Sequence, residues 1–239
     1  KKQTPMWPLA KARANAANVD FTTYTPIKPK FIGRRVLKGI ELRDVVPFID
    51  WAPFFQTWDL AGPYPAILDD EVVGEQARQV FADAQKMLKR LVDGRWLTAN
   101  AVVGLYPAQR QGDDIVLYTD ESRTDVALTW YGLRQQTERP MTEGAYRPSR
   151  ALSDFVATPD QAPDYVGCFA VTAGIGADAK AKAFEAAQDD YNAIMLKALA
   201  DRLAEAMAEM MHHRVRTDWW GYAAGEALTN EQLIAEQYQ

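Results

Sequence analysis

The fold is decided by residues 189–216, which read DDYNAIMLKALADRLAEAMAEMMHHRVR. Apolar side chains recur in this stretch at spacings of three and four residues, which is the period of a helix that buries one face. The apolar positions are Leu196, Leu199, Leu203, Met207, Met210 and Met211. We therefore predict a long helical segment in the C-terminal half of the chain, from Asp178 to about Arg216. Residues 189–192 are the candidate break in it.

Shorter patterns surround this segment. Residues 71–92 carry apolar side chains at helical spacing, and Thr229 and Gln232 have the spacing of a capping box at the start of a last helix. Strands are expected at residues 101–106, 114–118, 126–131 and, fully buried, 165–172. The first three lie close together in the sequence, which favours antiparallel pairing. Because strands and helices do not alternate strictly, we predict an α+β fold with an antiparallel sheet flanked by helices.

Composition excludes several classes of protein. The chain has 239 residues, 48% of them hydrophobic, and a formal net charge of -5, which is ordinary for a soluble globular protein. It contains no apolar run long enough to form a transmembrane helix, and its first residues lack an apolar signal core. The acidic balance argues against nucleic-acid binding but not against a small cationic ligand. A single cysteine fits a reducing compartment, so we expect a cytoplasmic location.

Histidine and cysteine are too scarce for a structural zinc site, and we expect no metal on this chain. The histidines are adjacent, at His212 and His213, beside Arg214 near the predicted end of the long helix. There they interact favourably with the helix dipole. Cys168 lies in the apolar run predicted to be a buried strand, and we expect it to be an inert core residue.

The first thirty residues are expected to have less regular structure than the rest of the chain. Proline stands at positions 5, 8, 26 and 29, and it interrupts regular structure because it lacks a backbone donor and restricts the residue before it. An alanine-rich stretch at residues 9–19 could form a short helix between them. We therefore predict an interdomain linker or arm at residues 1–30 and a domain at residues 31–239.

Asp50 is the most suggestive polar residue, because it stands in a segment rich in phenylalanine and tryptophan. A carboxylate is costly to bury there unless it meets a donor or a cation. Nearby aromatic faces would attract an ammonium or sulfonium group. The alternative is that Asp50 caps a helix whose first turn contains Pro53. The residues alone leave both interpretations open.

Two further features have a chemical and a structural interpretation. Asp201 and Glu205 share one face of the predicted helix and could act as general acid and base of a hydrolase, or pair with Arg202 on the surface. Gly174 and Gly176 follow a strand and precede a helix, as in a dinucleotide-binding loop. A plain strand-to-helix turn explains them better, because no repeating strand–helix–strand unit follows.

Several stretches, in the same order, resemble the activation domain of cobalamin-dependent methionine synthase. They are residues 49–58, 102–108, 112–115, 133–137, 154–157, 189–206, 220–223 and 228–234. Residues 49–58 read IDWAPFFQTW, and the stretch at residues 189–206 is the most specific. The resemblance covers about residues 40–239.

The resemblance implies a domain that binds S-adenosylmethionine within a methyltransferase. In this family the domain docks on the cobalamin-binding domain when the cobalamin has oxidised to cob(II)alamin. An electron from flavodoxin or a related reductase, together with the methyl group of S-adenosylmethionine, restores methylcobalamin. Cobalamin and zinc are expected only on other domains of the full enzyme, and this chain alone is expected to be inactive.

The resemblance also implies site residues. Asp50 matches the family's acidic ligand of S-adenosylmethionine, expected to meet the amino group, and Glu205 matches a second acidic position. The family's Arg-Pro-x-Pro-Gly-Tyr segment does not occur in this sequence. We therefore expect a domain truncated at its C-terminus that binds the ligand weakly if at all. The alternative is an interaction module that docks on a cobalamin domain or flavodoxin without binding a small molecule.

Overall fold

The computed structural model describes residues 5–21, 23–138, 140–142 and 144–238. The α-helices are α1 (Leu9–Ala14), α2 (Leu42–Val45), α3 (Ala52–Gln56), α4 (Gly74–Asp93), α5 (Ala177–Ala186), α6 (Asp190–Arg214) and α7 (Asn230–Ile234). The strands are β1 (Gly33–Ile40), β2 (Thr98–Gln111), β3 (Asp114–Tyr118), β4 (Val126–Trp130), β5 (Met141–Thr142), β6 (Ala145–Tyr146) and β7 (Asp164–Ile175). Short 3-10 turns lie at Val46–Phe48, Ala66–Asp69 and Leu152–Phe155, and a π-helical turn follows α6 at Val215–Trp219.

The main sheet has the hydrogen-bonded order β1-β2-β3-β4, and β7 also pairs with β2. The pairs β2–β3 and β3–β4 are antiparallel, with Ala108 opposite Leu117 and Leu117 opposite Leu128. A small antiparallel hairpin joins β5 and β6. The predicted α+β fold with an antiparallel sheet and flanking helices is confirmed.

The described part of the chain divides into two compact units. Unit 1 comprises the described residues of 1–34, 104–168 and 219–222. Unit 2 comprises those of 35–103, 169–218 and 223–239. Both β2 and β7 contribute residues to each unit.

Unit 1 has an apolar core where β2 and β3 pair. Its buried side chains are Ala108, Ile115, Leu117 and Val156, packed against the partly buried Tyr106 and Val166. The turn between β2 and β3 contains Gly112, whose φ of 64° lies in the left-handed region that glycine adopts without strain.

Unit 1 also contains a buried network of ion pairs centred on Arg134, whose side chain is 1% exposed. The Arg134 guanidinium donates to both oxygens of Asp154, at 2.8 and 2.7 Å, and through Nε to Oδ1 of Asp113 at 2.8 Å. Arg13 donates to Asp113 at 2.7 Å, and Arg110 lies 3.3 Å from Asp154. Buried carboxylates require such partners, since an unpaired charge is costly away from water.

Unit 2 is built around α6. The predicted break in the long helical segment is confirmed, because α5 ends at Ala186 and α6 begins at Asp190. The Asp189 side chain accepts a hydrogen bond from the backbone N–H of Asn192 at 3.1 Å, as an N-cap residue does. Every apolar position predicted for the stripe is buried. Helices α2, α3, α4 and α5 contact α6.

Aromatic side chains form a second part of the unit 2 core. Phe54 and Phe55 of α3 are fully buried. Phe81 of α4 lies with its ring centroid 4.9 Å from that of Trp51 and 6.0 Å from that of Phe55. Edge-to-face and tilted pairs of this kind add to the stabilisation that burial provides. The aromatic-rich segment around Asp50 therefore packs largely inward.

The described residues before Lys30 contact other parts of unit 1. The backbone N–H of Trp7 donates to the carbonyl of Gln136 at 2.7 Å, and the N–H of Ser149 donates to that of Asn15 at 2.8 Å. Trp7 is also buried. These contacts do not test whether the segment also connects this domain to another, so the linker at residues 1–30 stays a prediction.

The strand predicted at residues 165–172 forms, but the prediction that it is buried throughout is wrong. Residues 167–170 of β7 are exposed, and Cys168 is an exposed free thiol instead of a core residue. Gly176 is the N-cap of α5 with φ 103°, and a Cβ there would lie 2.8 Å from the carbonyl oxygen of Trp96. This close approach explains the glycine as part of a strand-to-helix turn.

None of the helices among the described residues is both long enough and apolar enough to cross a lipid bilayer.

We predict that Arg134→Met strongly destabilises the protein. The substitution leaves Asp154 and Asp113 buried beside an apolar side chain, and breaking a buried pair in this way costs about 3–5 kcal/mol. Urea unfolding measures the loss. The control is Arg43→Met, because the Arg43 side chain is 79% exposed and a surface change of this kind alters stability by less than about 0.5 kcal/mol. Equal losses in the two variants would contradict the role given to Arg134.

We also predict that acid weakens the fold through the same network. Burial alone would raise the pKa of Asp154 and Asp113, but hydrogen bonds from their arginine partners outweigh it, so each pKa lies below its ordinary value. Their contribution is complete above the unfolded-state pKa of about 4 and is lost as the pH falls through the lower folded values. Urea midpoints below about pH 4 should therefore fall more steeply for the parent than for Arg134→Met. Parallel curves would contradict this account.

Candidate functional site

A cavity of about 170 Å³ in unit 2 is the candidate site. It lies among α6, α7 and the segment between α2 and α3. The acidic residues that line it are Asp50, Glu205, Glu209 and Glu236. The other lining residues are Phe48, Ala206, Leu233, Ile234 and Tyr238. Carboxylates next to aromatic faces favour a positively charged organic group.

Asp50 occupies the turn that leads into α3. Its Oδ1 accepts a hydrogen bond from the backbone N–H of Ala52, the first residue of α3, at 3.0 Å. Asp50 therefore accepts a hydrogen bond from the first N–H of the helix. It stands one residue before the N-cap residue, which is Trp51. The structural interpretation of Asp50 and its place on the cavity wall are compatible, because the same side chain does both.

Glu205 lies on α6 and pairs with Arg202. The Arg202 guanidinium donates to both oxygens of Glu205, at 3.1 and 3.0 Å, and to Asp201 at 2.6 Å. The Arg202 side chain is 8% exposed, whereas that of Glu205 is 65% exposed. Pairing with Arg202, which was the structural alternative, is thus what the structure shows. Since one cation already binds both carboxylates, nothing here favours Asp201 and Glu205 as an acid–base pair.

Glu209 lies one turn after Glu205 on α6, so both side chains reach the same cavity. Its Oε1 atom is buried and, within the described residues, has no hydrogen-bond partner. Burial is the largest influence on this carboxyl group and raises its pKa. The charge of Arg216 lowers the pKa, while Glu226 and Glu236 raise it.

Tyr238 forms a wall of the cavity and rests on a buried arginine. The Arg216 guanidinium lies 4.2 Å from the centroid of the Tyr238 ring, and the His212 ring meets that ring edge-on at 4.9 Å. Arg216 is fully buried and donates to both carboxylate oxygens of Glu226, at 3.1 and 2.6 Å. The π-helical turn at Val215–Trp219 contains Arg216, and such turns occur frequently at functional sites.

Helix α7 is held at the cavity by its first turn. Thr229 and Gln232 form the predicted capping box, in which the Thr229 N–H donates to Gln232 Oε1 at 2.9 Å and the Gln232 N–H donates to Thr229 Oγ1 at 3.3 Å. The Asn230 side chain donates to the carbonyl of Ile49 at 3.3 Å. This bond ties the start of α7 to the backbone next to Asp50.

The structure brings Asp50 and Glu205, the predicted site residues, to one cavity although they are far apart in the sequence. Asp201 is not among the lining residues. Sequence reasoning missed Glu209, Glu236 and Tyr238. The i,i+4 spacing from Glu205 could have indicated Glu209, but no sequence signal places the residues after α7 against α6.

The two histidines lie at the C-terminal end of α6, and they contact an acidic residue and an arginine. His212 and His213 lie in the last turn of α6, as predicted, and His213 Nε2 lies 3.9 Å from Glu226 Oε1. Burial and then the charge of Arg216 lower the pKa of His212. In the part of the chain that the structure describes, no three His, Cys, Asp or Glu residues are placed to hold a metal ion.

Comparison with known structures gives a match over nearly the whole chain. A crystal structure described as the MetH reactivation domain bound to AdoHcy is 49% identical in sequence and superposes with a TM-score of 0.92. The match covers 99% of this chain and 71% of the solved chain.

Comparison with protein families gives the same result. The model of the vitamin B12 dependent methionine synthase activation domain matches residues 41–239, which include every residue that lines the cavity. This chain belongs to the activation-domain family of vitamin B12-dependent methionine synthase.

Proposed function

We propose that this domain binds S-adenosylmethionine at the cavity lined by Asp50 and Glu205, and that it serves the reductive methylation of cob(II)alamin in methionine synthase. The observation that carries the proposal is the meeting of these two acidic residues at one cavity. The close similarity to a domain solved with AdoHcy, the same molecule without the transferable methyl group, supports it.

The chemistry of the cavity fits the two cationic groups at the amino-acid end of the ligand. S-adenosylmethionine carries an ammonium group and a sulfonium group. Asp50 is the candidate partner of the ammonium group. Glu205 contributes less uncompensated negative charge, because it is already paired with Arg202. Phe48 and Tyr238 supply aromatic surface, which attracts cations. The buried, unpartnered oxygen of Glu209 also favours a positively charged occupant.

The size of the cavity limits how much of the ligand it holds. Its volume of about 170 Å³ is below the range of about 300–1,000 Å³ that is usual for small-molecule pockets. We infer that this cavity takes the amino-acid end and that the adenosine part needs further contacts. Binding to these residues alone should therefore be weak.

In the proposed reaction, this domain binds the methyl donor and another domain of the enzyme holds the cobalamin. When bound, S-adenosylmethionine supplies an electrophilic methyl group, and the residues of this chain bind and orient it. The cobalamin-binding domain of the same enzyme and an electron donor such as flavodoxin are the expected partners. Cobalamin and zinc are held by other domains, and the enzyme acts in the cytoplasm. Methyl transfer thus belongs to the assembled methionine synthase.

We predict that Asp50→Asn weakens S-adenosylmethionine binding about tenfold or more. The amide keeps the oxygen that accepts from Ala52 but removes the negative charge, and a hydrogen bond to a charged group contributes about 1.5–3 kcal/mol. Isothermal calorimetry measures the dissociation constants. Asp44→Asn, an exposed position on α2, is the control and should bind like the parent. Unchanged affinity in Asp50→Asn would rule out the assigned site.

We predict that mixing this chain with the cobalamin-binding domain, a reduced flavodoxin and S-adenosylmethionine converts the cob(II)alamin spectrum to that of the methylated form. Visible spectroscopy follows the conversion, and Asp50→Asn should slow it. An interaction module without a ligand site would instead alter the spectrum equally with and without S-adenosylmethionine. The absence of any spectral change would contradict both functions.

A further inference from the structure

Glu209 differs from the other carboxylates of the cavity. Asp50 accepts a backbone hydrogen bond and Glu205 is bound by Arg202. Glu236 is exposed to solvent. Glu209 instead has a buried Oε1 atom for which the described residues provide no hydrogen bond, although the side chain lines the cavity. Among the carboxylates that line the cavity, Glu209 is therefore the one with a buried oxygen for which the described residues provide no partner.

Arg216 is the cation whose charge lowers the pKa of Glu209. Its guanidinium is bound through Nε and Nη2 to Glu226 and lies against the ring of Tyr238, and its buried Nη1 has no hydrogen-bond partner among the described residues. The carboxylates of Glu226 and Glu236 add negative charge nearby. An uncompensated carboxylate in partly dehydrated surroundings attracts a cation more strongly than one in water does.

We propose that Glu209 is the specificity-determining residue that makes this cavity prefer the sulfonium of S-adenosylmethionine over the neutral thioether of S-adenosylhomocysteine. The inference rests on the proposed function. The two ligands share their adenosine, ammonium and carboxylate groups, and they differ in one methyl group and its positive charge. A residue that separates them must respond to charge at sulfur, and Glu209 is the lining carboxylate with a buried, unbonded oxygen.

The charge at sulfur changes during turnover. Methyl transfer removes the positive charge from sulfur, so the attraction that holds the methyl donor is absent for the product. A preference carried by Glu209 would thus favour binding of the donor and release of the product at the same site.

The test is calorimetry of both ligands with the parent chain, Glu209→Gln and Glu209→Asp. Glutamine has the same shape without the charge, so the preference for S-adenosylmethionine should fall about tenfold, mainly through weaker binding of that ligand. Aspartate keeps the charge and should retain most of the preference. Glu185→Gln is the control, because Glu185 is an exposed residue of α5 paired with Lys197. It should leave both affinities unchanged.

The outcomes separate this inference from the proposed function. If the parent chain binds neither ligand, the proposed function fails and the inference fails with it. If the parent binds both ligands but Glu209→Gln changes the two affinities equally or not at all, only the inference is overturned. Thermal unfolding of each variant checks the fold. Should Glu209→Gln not fold, loss of the preference in Glu209→Asp as well would overturn the inference.

Discussion

The buried face of α6 is the constraint on which unit 2 depends. Twenty-five residues, Asp190–Arg214, form one helix whose apolar positions are covered by neighbouring helices. Since a helix repeats every 3.6 residues, burying that face fixes which residues stand at its margin. Glu205 and Glu209 stand there, one turn apart, and line the same cavity. The packing that stabilises the unit thus also positions its charged side chains.

Unit 1 contains buried paired charges as well as an apolar core. Arg134 joins Asp154 and Asp113, which come from separate parts of the sequence. Each of the three lies in a stretch that carried the family resemblance. Their shared role within this unit is structural, because both carboxylates are compensated by the arginine and neither lines the candidate cavity. Similarity in sequence therefore marks residues that stabilise the fold as well as those proposed to bind the ligand.

Local sequence patterns predicted several of the helices and strands, although they did not predict β1. The break before α6 is visible in the sequence because Asp189 is a good N-cap residue, and the capping box of α7 is equally local. The strands β3 and β4 follow from their short apolar runs. The burial of β7 could not be predicted in this way, because an apolar run around Cys168 looks the same whether or not another layer covers it.

The candidate site was only partly predictable. Asp50 and Glu205 were candidates from the residues alone, each with a structural alternative. Only the family resemblance assigned both to one ligand, since nothing in their spacing brings distant residues together. Glu209 and Tyr238 were missed because their roles arise from tertiary packing, namely the uncompensated burial of one oxygen and the contact between a tyrosine ring and Arg216. Asp50 both accepts the hydrogen bond from Ala52 and lines the cavity, so its structural contact does not exclude the proposed contact with the ligand.

The most direct measurement of the central claim is a crystal structure of this chain grown with S-adenosylmethionine. The account predicts that the amino-acid end of the ligand lies in the cavity, with its ammonium group against Asp50 and its sulfonium nearer to Glu209 than to any other carboxylate. Ligand bound elsewhere, or a sulfonium nearer to another carboxylate than to Glu209, would contradict it.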